Sequence, residues 1–319
     1  MATQTAPVLN KTRPRRGIGV AVLATYLGLY AVLLSAMSRW GGFDPSNALG
    51  VAAVLGVGFS LAAWALTIGV KPLSYYVLQP ARELVALAVY LVALTAVVTW
   101  GFDWVRRSFP HDPVQAFALL TVKLIIFVAV PSWLMRWRFG YSWRDLAPSG
   151  FSRRHLLVMV AMSALLILFQ AVAGSGWRET RTAHLPANIL LWGLPLALAW
   201  WTLEAGVVEE FFFRCLLQSR LTSMLHSQLG GIVLASLLFG MMHTPGLYLR
   251  TSITGEGLAP HPPLWMAIGY SVVITSIAGF VFGILWARTR NFALVAVVHG
   301  AADLLPNFLQ TMRSLHLWH

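Results

Sequence analysis

The chain consists of blocks of about twenty consecutive apolar residues, separated by short polar segments rich in arginine. A helix rises about 1.5 Å per residue, so a block of that length crosses the ~30 Å hydrocarbon core of a bilayer. Inside lipid every backbone N–H and C=O must be satisfied internally, which leaves only helices and closed β-barrels. Barrel strands would show alternation over about ten residues, and none is present. The sequence therefore predicts an all-α fold: a polytopic transmembrane helical bundle of eight or nine spans. The candidate spans are 17–38, 48–70, 84–102, 114–135, 156–174, 188–213, 229–243, 264–287 and 291–309. Composition points the same way, with 58% hydrophobic and 11% charged residues. A soluble domain has about 45–50% and 25%, so an ordinary soluble domain and a disordered chain are both excluded. No internal repeat stands out. The longest loops, 136–155 and 244–263, are too short for a soluble domain.

A net charge of +12 would suggest nucleic acid in a soluble protein. Here the basic residues cluster between apolar blocks, so the expected partner is the lipid bilayer and no nucleic acid. With the N-terminus cytoplasmic, fifteen of the 23 Lys and Arg fall on the cytoplasmic side, Arg214 and Arg220 among them. Seven fall on the other side, and Lys123 lies inside a span. This bias predicts N-terminus in and C-terminus out; the expected location is a bacterial inner (plasma) membrane. The basic start before Gly17–Met37 resembles a signal peptide, but the apolar run is too long and lacks a small-residue cleavage site. It is read as a retained first span. The single Cys215 excludes a disulfide framework and a cysteine metal cluster.

Charged groups in the bilayer core cost at least about 2.5–3.5 kcal/mol each, so each calls for a reason. Of the eleven acidic residues, four sit in apolar spans: Glu204, Glu209, Glu210 and Asp303. His243 and His299 do the same. In Glu209-Glu210-Phe-Phe-Phe-Arg214, the i,i+4 spacing lets Glu210 pair with Arg214. Glu209 points about 100° away and stays free to face a cavity. In Phe239-Gly-Met-Met-His243 an aromatic ring flanks an imidazole. In His299-Gly-Ala-Ala-Asp303 the two polar groups share one face, spaced for a hydrogen bond or for two metal ligands. Each motif alone also fits a bland role at a helix end or in packing. Together they suggest one polar site able to activate water and stabilise an oxyanion, or to bind a divalent metal.

These three motifs, in this order, resemble those of the CPBP family of intramembrane proteases. That family includes type II CAAX prenyl endopeptidases and bacteriocin-processing and immunity-type (Abi-like) homologues. The resemblance covers about 190–310, and Trp143-Arg144-Asp145-Leu146 looks like a segment often found upstream. It implies an intramembrane endopeptidase acting on a membrane peptide or protein substrate. Glu209 would be the general base, acting with His243 on a water, and His299 would stabilise the oxyanion. Glu210 and Arg214 would support the site, with Phe239. The family pattern ends in Asn or Asp; Asp303 donates a hydrogen bond only when protonated, and when ionised would orient His299. A glutamate-type mechanism without cofactor is favoured. A metalloprotease is the alternative, with His243, His299, Glu209 and Asp303 holding Zn²⁺ or another divalent metal. The implied organisation is a basic cytoplasmic tail over 1–16, N-terminal helices over 17–154, a protease core over 155–312 and a tail over 313–319.

A geometric condition attaches to this reading. If 188–213 and 229–243 were simple spans, Glu209 and His243 would lie at opposite faces. Either of two changes would bring them toward a common depth: the first helix running on toward Arg220, or the second beginning before Leu229. Among the other residues, Lys123 is expected to snorkel and Glu204 to pair locally. His226 and His261 are expected in solvent, and Cys215 in packing. Trp40, Trp137 and Trp265 read as interfacial anchors. A non-catalytic membrane adaptor of the same fold is one competing reading. An ion-coupled transporter is another, disfavoured by the lack of an inverted repeat.

Overall fold

The structure is a computed structural model and describes residues 15–318. Lys11 and Arg13 of the expected basic tail lie outside the described residues. Among these, nine helices are long and apolar enough to cross a membrane, and no strand is present. They are α1 (Arg16–Gly41), α2 (Pro45–Leu66), α3 (Pro80–Ser108), α4 (Val114–Phe139), α5 (Arg153–Ala173), α6 (Ala187–Leu225), α7 (Gln228–Tyr248), α8 (Leu264–Thr289) and α9 (Phe292–Ser314). The protein is thus an integral membrane helical bundle, as the apolar blocks predicted.

The helices begin where the sequence supplies caps. The side chains of Ser152, Ser227 and Asn291 accept from the backbone N–H of His155, Gly230 and Leu294 at the starts of α5, α7 and α9. α1 and α4 end at glycines in the left-handed conformation, Gly42 and Gly140. The hairpins α6–α7 and α8–α9 turn without glycine, at His226 (φ 48°) and Arg290 (φ 51°).

α7, α8 and α9 form the centre. Between half and nearly three quarters of their most apolar stretches is buried (50%, 72% and 56%), against 11–22% for α1 to α5. α1 lies on α7 and α8, α2 on α8, α4 on α6 and α5 on α9. Helices in lipid gain little from apolar burial and associate instead through close packing of small residues. α6 and α9 do this most closely. A Cβ at Gly206 would strike the Ala296 backbone, and one at Gly300 would strike Thr202.

α6 meets the condition set above. It continues to Leu225, twelve residues past the expected end, and α7 begins at Gln228. Glu209 then lies sixteen residues before the hairpin and His243 fifteen residues after its start, about 22–24 Å along each helix. Two antiparallel helices thus bring them to one level. The helix is also irregular there. π-helical stretches over Thr202–Val207 and Phe211–Gln218 flank Val208–Glu210, a distortion that often marks functional positions.

Candidate active site

α6, α7 and α9 converge on one polar cluster. Glu209 Oε2 lies 3.9 Å from His243 Nε2 and 3.8 Å from His299 Nε2. Neither distance is a hydrogen bond, but each is short enough for one water to touch both groups. His243 Nδ1 lies 2.9 Å from the Phe239 carbonyl oxygen, which can only accept, so Nδ1–H donates. In the neutral ring, Nε2 then carries the lone pair that faces Glu209. The Phe239 ring packs on His243 with centroids 4.9 Å apart. The i,i+4 spacing of this motif therefore does two jobs, stacking the ring and fixing the tautomer.

His299 is held more tightly. Its Nδ1 donates to Glu210 Oε1 at 2.7 Å, and its ring stacks on Phe282 with centroids 4.3 Å apart and planes 7° apart. Its Nε2 faces Asp303 Oδ2 at 3.5 Å. Glu210 Oε2 accepts from Arg214 Nε at 2.9 Å, and both side chains are fully buried. Arg214 Nη1 and Nη2 have no hydrogen-bond partner among the described residues; the guanidinium lies 5.0 Å from the Phe239 ring centroid. The site is graded in exposure: Glu209 18%, Asp303 32% and His243 36%, against 6% for His299.

All seven residues singled out by the three motifs thus meet in one place. One of their contacts adds to the expectation. Glu210 does more than pair with Arg214, because its second oxygen orients His299. Asp303, expected to orient His299 when ionised, faces the other ring nitrogen at 3.5 Å.

Other contacts were not legible in the sequence. Phe282 sits in an apolar run on α8 with nothing to distinguish it. Gln170 on α5 donates to the Ala302 carbonyl. Pro306 explains why, since it has no N–H to give to the carbonyl four residues earlier. Asn307 Nδ2 likewise donates to the Asp303 carbonyl at 2.9 Å. These side chains repair α9 beside the site, and the pair Ala302–Pro306 was the available signal. Lys123 does not snorkel away; it forms an ion pair with Glu204 one turn from Glu209.

A further acid was not singled out by the sequence: Glu83, just outside the expected span 84–102, is fully buried at the start of α3 and, with Glu210, is one of two buried acids among the described residues. Its Oε2 accepts from Arg220 Nε at 2.8 Å. Glu83 lies three residues after Pro80, in the first turn of the helix. Arg214 and Arg220, assigned to the cytoplasmic surface by sequence, are both wholly buried. Cys215 is buried, as expected for packing. His261 is exposed; Trp40 and Trp137 are strongly exposed and Trp265 partly so, as anchors require.

The metal alternative finds no support in the geometry. Among the described residues no group of three or more His, Cys, Asp or Glu is arranged to hold a metal ion. The Nδ1 of His299 is taken by Glu210, which leaves its Nε2, like that of His243, facing Glu209 at 3.8–3.9 Å.

No curated protein and no solved structure matches the chain. Residues 191–305 match the family described as Type II CAAX prenyl endopeptidase Rce1-like. The match begins in α6 and ends in α9, and it encloses all three motifs. The first 190 residues lie outside it. Residues 191–305 are an Rce1-like type II CAAX prenyl endopeptidase (CPBP) family domain, set in an integral membrane bundle of nine long apolar helices.

Proposed function

We propose that the protein is an intramembrane endopeptidase that hydrolyses a peptide bond of a membrane-associated substrate by a glutamate-type mechanism. The observation that carries this is the placement of Glu209 Oε2 within 3.9 Å of two imidazole Nε2 atoms from two other helices. A water between Glu209 and His243 would be polarised by both. As its oxygen attacks the scissile carbonyl carbon, its proton passes to Glu209. The carbonyl becomes an oxyanion, and His299 donates to it through Nε2–H when the ring carries both protons. Glu210 compensates that positive charge through Nδ1–H, and Arg214 in turn holds Glu210. Collapse of the intermediate breaks the C–N bond, and Glu209 returns the proton to the leaving amine. Asp303 is a second acceptor at His299 Nε2, able to hold the ring when no substrate is bound.

The test is cleavage in host membranes. Peptide termini are compared between cells carrying wild type and cells carrying Glu209→Ala at equal expression. New termini that appear only with wild type are expected, and they also identify the substrate. Identical termini, with the variant still restoring any deletion phenotype, would favour the adaptor reading instead. The glutamate-type assignment has its own check. Purified enzyme dialysed against EDTA should retain its cleavage rate to within about twofold. A loss restored by Zn²⁺ would overturn it.

A further inference from the structure

The polar cluster is sealed toward one end of the bundle and open toward the other. Along α6 from Glu209 toward Leu225, every residue from Glu210 to Arg220 is buried. The segment 67–79 closes that end. Its Tyr75 hydroxyl donates to the Cys215 carbonyl, and its ring stands edge-on to Trp286 at 5.5 Å. Leu73 N–H donates to the Thr289 carbonyl at 2.9 Å. In the opposite direction the charged groups are partly exposed. Glu204 and Lys123 are 15% and 22% exposed, and Asp303 and His243 more so. Partly exposed charges are strongly disfavoured against hydrocarbon, so these groups line a polar opening. Farther along α9, a separate surface pocket of about 420 Å³ is bordered by Pro306, Gln310, Arg313, Asp112 and Glu179 and touches none of these groups.

The chain direction says which face this opening meets. Nine helices that each cross once place segments 67–79, 140–152, 226–227 and 290–291 on one face. They place 42–44, 109–113, 174–186 and 249–263 on the other. The sealed end belongs to the first face and the opening to the second. Even with the buried Arg214 and Arg220 removed, the first face has eleven Lys and Arg among the described residues against seven. The first face is therefore cytoplasmic by the positive-inside rule. A cytoplasmic chain approaching Glu209 would meet the closed layer of Phe211–Arg220.

We propose that the scissile segment reaches Glu209 from the non-cytoplasmic face. The substrate class is then a membrane-anchored polypeptide cut in an extracytoplasmic segment at or just inside the lipid surface. This rests on the peptidase reading given above. Single-cysteine labelling tests the face, because the native Cys215 is buried. Ser252 and Ser149 are exposed serines in loops on the two faces. In intact cells, a membrane-impermeant maleimide should label Ser252→Cys at least about tenfold more than Ser149→Cys. Ser149→Cys should react fully only once membranes are opened. The reverse pattern overturns the proposal. The Glu209-dependent peptide termini are then mapped onto substrate topology. Termini in extracytoplasmic segments support the proposal. Termini in cytoplasmic segments overturn it and leave the peptidase reading standing. An absence of Glu209-dependent termini overturns both, and the labelling separates that case from a misassigned face.

Discussion

Two carboxylate clusters lie along α6, about 15 Å apart by helical rise, and each contains a fully buried Glu–Arg pair. Around Glu83 and Arg220 the hydrogen bonding is closed. Glu83 Oε1 accepts from Gln79 N–H at 2.7 Å and from the Tyr141 hydroxyl at 2.9 Å, and Oε2 takes Arg220 Nε. Arg220 Nη1 also donates to the Cys215 carbonyl at 2.8 Å. Around Glu209 and Glu210 the network is left open. Glu209 makes no hydrogen bond among the described residues, and two nitrogens of Arg214 lack partners there. A closed buried network holds elements in one arrangement, whereas an unpaired carboxylate stores reactivity and is tolerated where chemistry needs it. The same residue types thus serve as a fastener at one level of α6 and as a reaction centre at the next.

That contrast is open to experiment. The largest expected effect is on activity alone. Glu209→Gln should lower kcat by about a thousandfold, in the range of general-base removal, and leave the unfolding midpoint within a few degrees of wild type. A large fall in the midpoint would make Glu209 structural and erase the distinction. Arg220→Met should do the opposite. It leaves Glu83 charged and buried without its partner, so thermal unfolding in detergent should report a loss of about 3–5 kcal/mol. In the double variant Arg220→Met, Glu83→Gln much of that loss should be recovered. If it is not, the closed network owes its stability to packing and not to charge pairing.

The repair beside Pro306 lies between the two extremes. Gln170→Leu leaves the Ala302 carbonyl unpaired and should cost about 1–3 kcal/mol, with a several-fold drop in kcat as α9 shifts. Adding Pro306→Ala restores an N–H for that carbonyl and should recover stability. Calorimetry of the two variants checks this. Failure of the second change to compensate the first would remove Gln170 from the account.

The smallest effect belongs to the loop 140–152 beside the sealed end. Burial works against the charge on the Asp145 carboxyl. Hydrogen bonds from the Ser142 side chain and backbone and from Tyr76 outweigh it and hold the carboxyl below its ordinary value. A lowered folded value contributes stability above the unfolded value, and that contribution is lost as pH falls through the folded one. The midpoint difference between wild type and Asp145→Asn should therefore be small near neutrality and vanish in acid. A difference that grows with acidity would contradict the assignment.

Much of this protein is legible in local sequence. Block length fixed the helical bundle, because lipid admits few backbone solutions. The i,i+4 spacings placed Glu210 with Arg214 and Phe239 with His243, because such pairs meet on any helix. Three motifs in order sufficed for the family resemblance. Tertiary structure alone decided what depends on distant chain segments. Glu83 meets Arg220 across 137 residues, and Glu210 meets His299 across 89. Neither pairing has a periodic trace. The depth of Glu209 depended on how far α6 runs past its most apolar stretch, where hydropathy no longer marks the helix and packing on α7 does. Exposure came last. A buried and an open carboxylate read alike as letters, and only the assembled helices determine which one water can reach.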